Sequence, residues 1–177
     1  MTENDIHELI QSWENLWMLV KHVADYPQFL DSIVAKALDD SRPENWRAAW
    51  MVDKIHEKHP DRVLPYFPAI TSFVMKTANS AKKRHFLKLL SLHPVEEENM
   101  AVLLDFCINI FTNPAEDIAV RVHAMQVLFN IAEKEPVFSG ELIGLVEFEL
   151  EHNASAGIAS RAKKMLPKLY RMRSQRT

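Results

Sequence analysis

The chain reads as an all-α protein built from stacked helix pairs. Three observations predict this. Only three glycines, Gly140, Gly144 and Gly157, occur in 177 residues, whereas β-sandwiches and nucleotide-binding α/β folds need more glycine turns. Breaks rich in proline and small polar residues fall near 40–43, 60, 79, 94, 113, 136 and 153. Between them, apolar residues recur at helical spacing. One such ridge returns down the chain at a fixed offset of 38 residues.

Asn4 or Asp5 can cap helix one, whose stripe is Ile6, Leu9, Ile10, Trp13, Leu16, Trp17 and Val20. Trp13 and Trp17, at i and i+4 on that stripe, are expected in the core. Helix two spans about Pro27–Leu38, with Phe29, Leu30, Ile33, Val34 and Leu38 inward. The turn DDSRPEN leads into helix three, Asn45–Pro60. Helix four starts near Asp61, and Pro68 predicts a bend or a split start. Asn79-Ser80 opens helix five, which Pro94 closes. Helix six follows Glu96–Glu98, acids that suit a helix N-terminus. Helix seven covers roughly Ala115–Lys134, and Ser139 is placed as the cap of helix eight. Helix nine covers about Ala156–Met172, with Pro167 expected to kink it or end it early and with a frayed end over about 172–177. No strand pattern occurs, and 1–177 is read as a single domain.

The repeat is clearest by adding 38. Ala48 maps to Phe86, Ala124 and Ala162; Met51 to Leu89, Val127 and Met165. Val52 maps to Leu90, Leu128 and Leu166; Ile55 to His93, Ile131 and Leu169. The position before the first column holds Arg47, His85, His123 and Arg161. Stepping back 38 from Met51 and Ile55 lands on Trp13 and Trp17, which would draw helix one into the series. One pair cannot bury its apolar face alone, so stacking neighbours supplies the core.

Charge excludes little but is unevenly spread. From Arg161 onward come seven basic residues (Arg161, Lys163, Lys164, Lys168, Arg171, Arg173 and Arg176) and no acid. Out of 21 basic and 24 acidic residues, this leaves fourteen against twenty-four, a net of −10. Such a tail is a solvated helix end or a surface for an acidic partner. Cys107 lies in an apolar run and reads as a small core residue of a reducing compartment. No signal region and no bilayer-length apolar run is visible, so the expected location is cytoplasmic, with no membrane partner. The eight histidines form no HExxH, and no phosphate loop, GxGxxG, GxSxG or kinase signature is present. No metal site, no cofactor and no catalytic residue is therefore expected.

Val120-Arg121-Val122-His123-Ala124-Met125, with Leu128 and Ile131, resembles the inner helix of HEAT-like repeats of the armadillo-type superfamily. Asn45-Trp46-Arg47-Ala48-Ala49 and Ala159-Ser160-Arg161-Ala162 are partial echoes. The resemblance implies a right-handed α-α superhelix, a HEAT-like solenoid of about nine helices: four helix pairs plus an N-terminal capping helix. It implies that helices three, five, seven and nine line the concave side. The loop acid that such repeats pair with the arginine would be Asp40 before Arg47; Asn113 and Asn153 stand in that place before the later arginines.

With Ala48, Met51, Val52 and Ile55 inward, the opposite side of helix three carries Trp46, Trp50, Asp53 and Glu57. The candidate partner-binding strip is Trp50, Asp53, Arg84, Lys88, Gln126, Phe129, Lys164 and Arg171, since aromatics and arginine dominate binding hot spots. The reading is a non-enzymatic scaffold that binds a protein or peptide on its concave face. The alternative is nucleic-acid binding of the kind seen in HEAT-like alkylpurine DNA glycosylases, which use aromatics and an Asp in a basic groove; Trp46, Trp50 and Asp53 on one face, with Arg84, Lys88 and Lys164 beyond, are a loose analogue without a recognisable glycosylase motif. The acidic body argues against it.

Overall fold

The computed structural model describes residue 8 and residues 10–175. The cap expected at Asn4 or Asp5, the stripe residues Ile6 and Leu9, and Arg176 lie outside them. Among the described residues all regular structure is helical. The helices are α1 Trp13–Asp25, α2 Leu30–Ala37, α3 Trp46–Lys58, α4 Phe67–Val74 and α5 Ser80–Ser91, then α6 Glu97–Thr112, α7 Ile118–Lys134, α8 Ser139–His152 and α9 Ala156–Ser174. The chain divides into two compact units, one reaching Leu89 and one starting at Leu90.

The breakers act as their chemistry requires. Asn79 accepts the Lys82 amide at 3.1 Å and starts α5; Ser155 accepts the Ile158 amide at 3.2 Å and starts α9. Pro65 and Pro68 split the entry to α4 into a four-residue turn, Pro60–Val63, and a 3-10 turn, Leu64–Tyr66. One expectation fails, and one of two alternatives of another drops out. Ser139 is not a cap: its hydroxyl donates to the Pro136 carbonyl at 2.7 Å, and a 3-10 turn, Pro136–Phe138, leads into α8. Nor does Pro167 end α9, which runs on to Ser174. Pro167 is exposed, so water can bond the carbonyl that loses its amide partner.

In the first unit α3 packs between α1 and α2. Its ridge, Ala48, Met51, Val52 and Ile55, is fully buried. In α5, Phe86 meets Phe73 of α4 edge-on, centroids 5.8 Å apart. In the second unit α7 packs against α6, α8 and α9, and Ala124, Val127, Leu128, Ile131, Ala162, Met165 and Leu169 are buried. Only His93 and Leu166 of the repeated positions are half-buried; His93 sits just past the end of α5. Each buried Met, Leu, Ile or Val of the ridge contributes about 1.5–3 kcal/mol.

The extension of the series to α1 is corrected. Trp13 and Trp17 are 48% and 53% exposed, although Met51 and Ile55, one step on, are buried. The α1 stripe that enters the core is Leu16, Leu19, Val20 and Val23. It is a complete i, i+3, i+4, i+7 face of aliphatics. At about 100° per residue, the two indoles fall on its flank.

The expected acid–arginine pairing is corrected too. Asp40 pairs with Lys82, whose fully buried ammonium donates to the Asp40 carboxylate at 2.9 Å and to the Asp39 carbonyl at 2.6 Å. The same ammonium lies 5.1 Å from the Phe73 ring centroid. Arg47 turns toward α1 instead, where two carbonyls and two ring faces suit its planar fork better than one loop carboxylate does. Asn113 accepts the Ala115 amide at 3.0 Å in its own turn. Arg121 donates to the Phe111 carbonyl at 2.8 Å and to Glu149 of α8.

Candidate functional site

All four tryptophans of the chain gather on the α1–α3 face of the first unit. Trp13 and Trp17 stand one turn apart on α1; Trp46 and Trp50 stand one turn apart on α3. Rings meet edge to face: Trp17–Trp50 at 5.0 Å and 82°, Trp13–Trp50 at 5.5 Å and 86°, Trp13–Trp46 at 5.5 Å and 61°. This is the favoured arrangement of ring quadrupoles. The Arg47 guanidinium lies 5.7 Å from the Trp13 centroid and 6.0 Å from that of Trp46. It also donates to the carbonyls of Ile10, at 2.9 Å, and Gln11. One side chain therefore ties the start of α1 to α3. Trp46 and Trp50 are half-buried, so the rings lean on each other and still meet solvent.

One turn along α3, Asp53 is only 2% exposed. Lys88 donates to both its oxygens, at 2.7 and 3.0 Å, and bridges on to Glu57 at 2.8 Å. Arg84 donates to His85 Nε2 at 3.2 Å, so Nδ1 is the nitrogen that carries the proton toward Asp53, 3.0 Å away. Burial alone would push the Asp53 carboxyl up; the His85 and Lys88 bonds outweigh it and hold it below its ordinary value. Burial alone would push Lys88 down; its bonds to Asp53 and Glu57 hold it above its ordinary value. With both oxygens already bonded, Asp53 is a staple between α3 and α5.

The expected strip is only partly open. Trp50 is half-exposed and Arg84 exposed; Lys88 reaches the surface with Glu57. Asp53 and Phe129, placed outward by helical angle, are buried instead. In the second unit Phe129 lies beneath Lys168, whose ammonium is 5.5 Å from the ring centroid. Gln126 accepts from Arg161 at 2.8 Å and donates to Asn130 at 2.8 Å. Asn130 in turn donates to the carbonyls of Ser91 and His93. Lys164 and Arg171 are exposed on α9. Sequence reasoning missed Trp13, Trp17, Arg47, His85 and Lys168. The self-sufficient aliphatic stripe of α1 was the available signal for the two tryptophans.

Among the described residues no set of three His, Cys, Asp or Glu side chains is placed to hold a metal ion. Burial pushes the Cys107 thiol far up, which keeps it a protonated core residue. No helix among the described residues is long and apolar enough to cross a membrane.

A ridge buried in register every 38 residues is the signature of a helical-repeat protein. Residues 8–169 match the family described as HEAT repeat domain, and the chain belongs to that family. No curated protein and no solved structure matches the chain. Repeats of this class are scaffolds, and protein interaction is their common use.

Proposed function

We propose that the chain is a protein-binding scaffold that meets its partner through the tryptophan face of α1 and α3. The observation that carries this reading is the exposure of Trp13 and Trp17 beside Trp46 and Trp50. A large ring left half in water is costly unless another surface covers it, and tryptophan and arginine head the residues that anchor interfaces. Trp50, Arg84 and Lys88 continue the accessible surface of this unit, with Asp53 beneath them. In the second unit Gln126, Lys164 and Arg171 are the candidates, with Phe129 as the floor under Lys168. The reading requires no catalytic group.

The test is quantitative partner recovery with the full chain and with Trp13→Ala/Trp17→Ala, both checked for native helix content by circular dichroism. A defined set of proteins should be lost from the variant. An unchanged set would sink the proposal.

A second reading, nucleic-acid binding, is supported by the exposed row Lys163, Lys164, Lys168 and Arg171 on α9. It predicts affinity for DNA or RNA that falls steeply as salt rises. The buried, fully bonded Asp53 weighs against a glycosylase-like version, because neither carboxylate oxygen is left to act on a base or a water.

A further inference from the structure

The tryptophan face is a row of three ring contacts, Trp13–Trp46, Trp13–Trp50 and Trp17–Trp50, and of its two outer corners only the first carries a cation. At the Trp13–Trp46 corner the chain supplies its own cation, the Arg47 guanidinium. At the Trp17–Trp50 corner the rings are closer, 5.0 Å, and nearly perpendicular, yet among the described residues no lysine or arginine lies over either ring. Ring faces are electron-rich, and a guanidinium is planar and weakly hydrated, so it stacks on an indole at small desolvation cost. The filled corner thus reports the chemistry that the open one suits. Glu14 lies one turn before Trp17 on α1 and is exposed, able to accept guanidinium N–H bonds. Lys21 lies one turn after it and is exposed; its repulsion acts on every cation of a ligand and grows with each one added, whereas the single carboxylate of Glu14 can offset only one.

We propose that the Trp17–Trp50 corner holds one arginine side chain of the partner protein, laid on the indoles as Arg47 is laid on Trp13 and Trp46. The partner segment carries an isolated arginine rather than a basic cluster. This inference rests on the interaction reading above and gives it a chemical class.

The experiment follows the four indole N–H signals of the full chain by NMR. The probe is a capped Gly-Arg-Gly peptide; its citrulline counterpart is the neutral isostere, and lysine, trimethyl-lysine, proline-rich and single-stranded DNA probes are run beside it. The arginine peptide should move the Trp17 and Trp50 signals with about two- to fivefold tighter apparent Kd than the citrulline peptide. Trp17→Ala should abolish the Trp50 response, and Arg47→Gln should make the Trp13 and Trp46 signals respond as well. Equal responses to arginine and citrulline, or a stronger response to any other probe, would overturn the proposal. If Trp13→Ala/Trp17→Ala loses partners but arginine is not preferred, the scaffold reading stands and this inference falls. If arginine is preferred but the recovered partners are unchanged, the scaffold reading fails, and the assignment of the cation to a partner fails with it.

Discussion

α3 in the first unit and α7 in the second carry the same buried ridge, and they differ on the side away from it. Beside α3, the helix α1 presents indoles: Trp13 and Trp17 lean on Trp46 and Trp50 and remain half in solvent. Beside α7, the helix α9 presents cations: Arg161 bonds Gln126, and Lys168 lies over a buried Phe129. The polar interiors differ as well. Asp53 is buried but opens to the surface through Lys88 and Glu57, whereas Arg121 and Glu149 are enclosed at 4% and 1% exposure. The repeat register thus dictates which side of a helix is buried. It leaves the other side free to become an aromatic face in one unit and a charged one in the other.

The enclosed pair is where the contrast can be broken hardest. Glu149→Ala leaves Arg121 as an uncompensated buried charge and should cost about 3–5 kcal/mol. Chemical denaturation followed by circular dichroism reads this, because all tryptophans lie before Leu90 and fluorescence reports only the first unit. A cost near zero would mean that the pair is not enclosed.

Met51→Ala and Met165→Ala test the shared ridge, with the same residue type at the same repeat position. Each should cost about 2–5 kcal/mol, and agreement between them sharpens the equivalence of α3 in the first unit and α9 in the second.

Asp53→Asn should cost about 1.5–3 kcal/mol through its charged hydrogen bonds. Its pH signature has a definite sign. The folded carboxyl is held below its ordinary value of 3.8, so its stabilisation is full above that value and is lost as pH falls through the lower folded one. Wild-type tryptophan-monitored stability should therefore fall more steeply below about pH 4 than that of Asp53→Asn.

On the open faces the effects shrink. Trp17→Ala should cost about 0.5–1.5 kcal/mol, the worth of an aromatic pair. Lys164→Gln with Arg171→Gln should stay within about 0.5 kcal/mol, leaving the melting temperature essentially unchanged.

Most of the fold was legible in the sequence. The breakers at Pro60, Asn79, Pro94, Asn113 and Pro136 separate helices because proline and local side-chain bonds act on their own neighbours. The 38-residue ridge was legible because burial on a helix repeats with a period that apolar residues must follow. The site was less legible. Helical angle placed Phe129 outward, but a neighbouring helix covers it; the same angle placed Trp13 and Trp17 on a stripe too wide to be wholly buried. Asp40 stands seven residues before Arg47, yet a lysine 42 residues further on claims it.

By itself, then, the sequence determined where helices start and stop, which ridge of each is buried, and that the ridges repeat, because these follow from local bonding and periodicity. Only the tertiary structure decided that four tryptophans drawn from two helices form one exposed face, that Arg47 fills one of its corners, and that Asp53 is sealed by Lys88 and His85. Those outcomes depend on which helix lies beside which. A periodic sequence states that each helix has a neighbour, but not how the flank of that neighbour is turned.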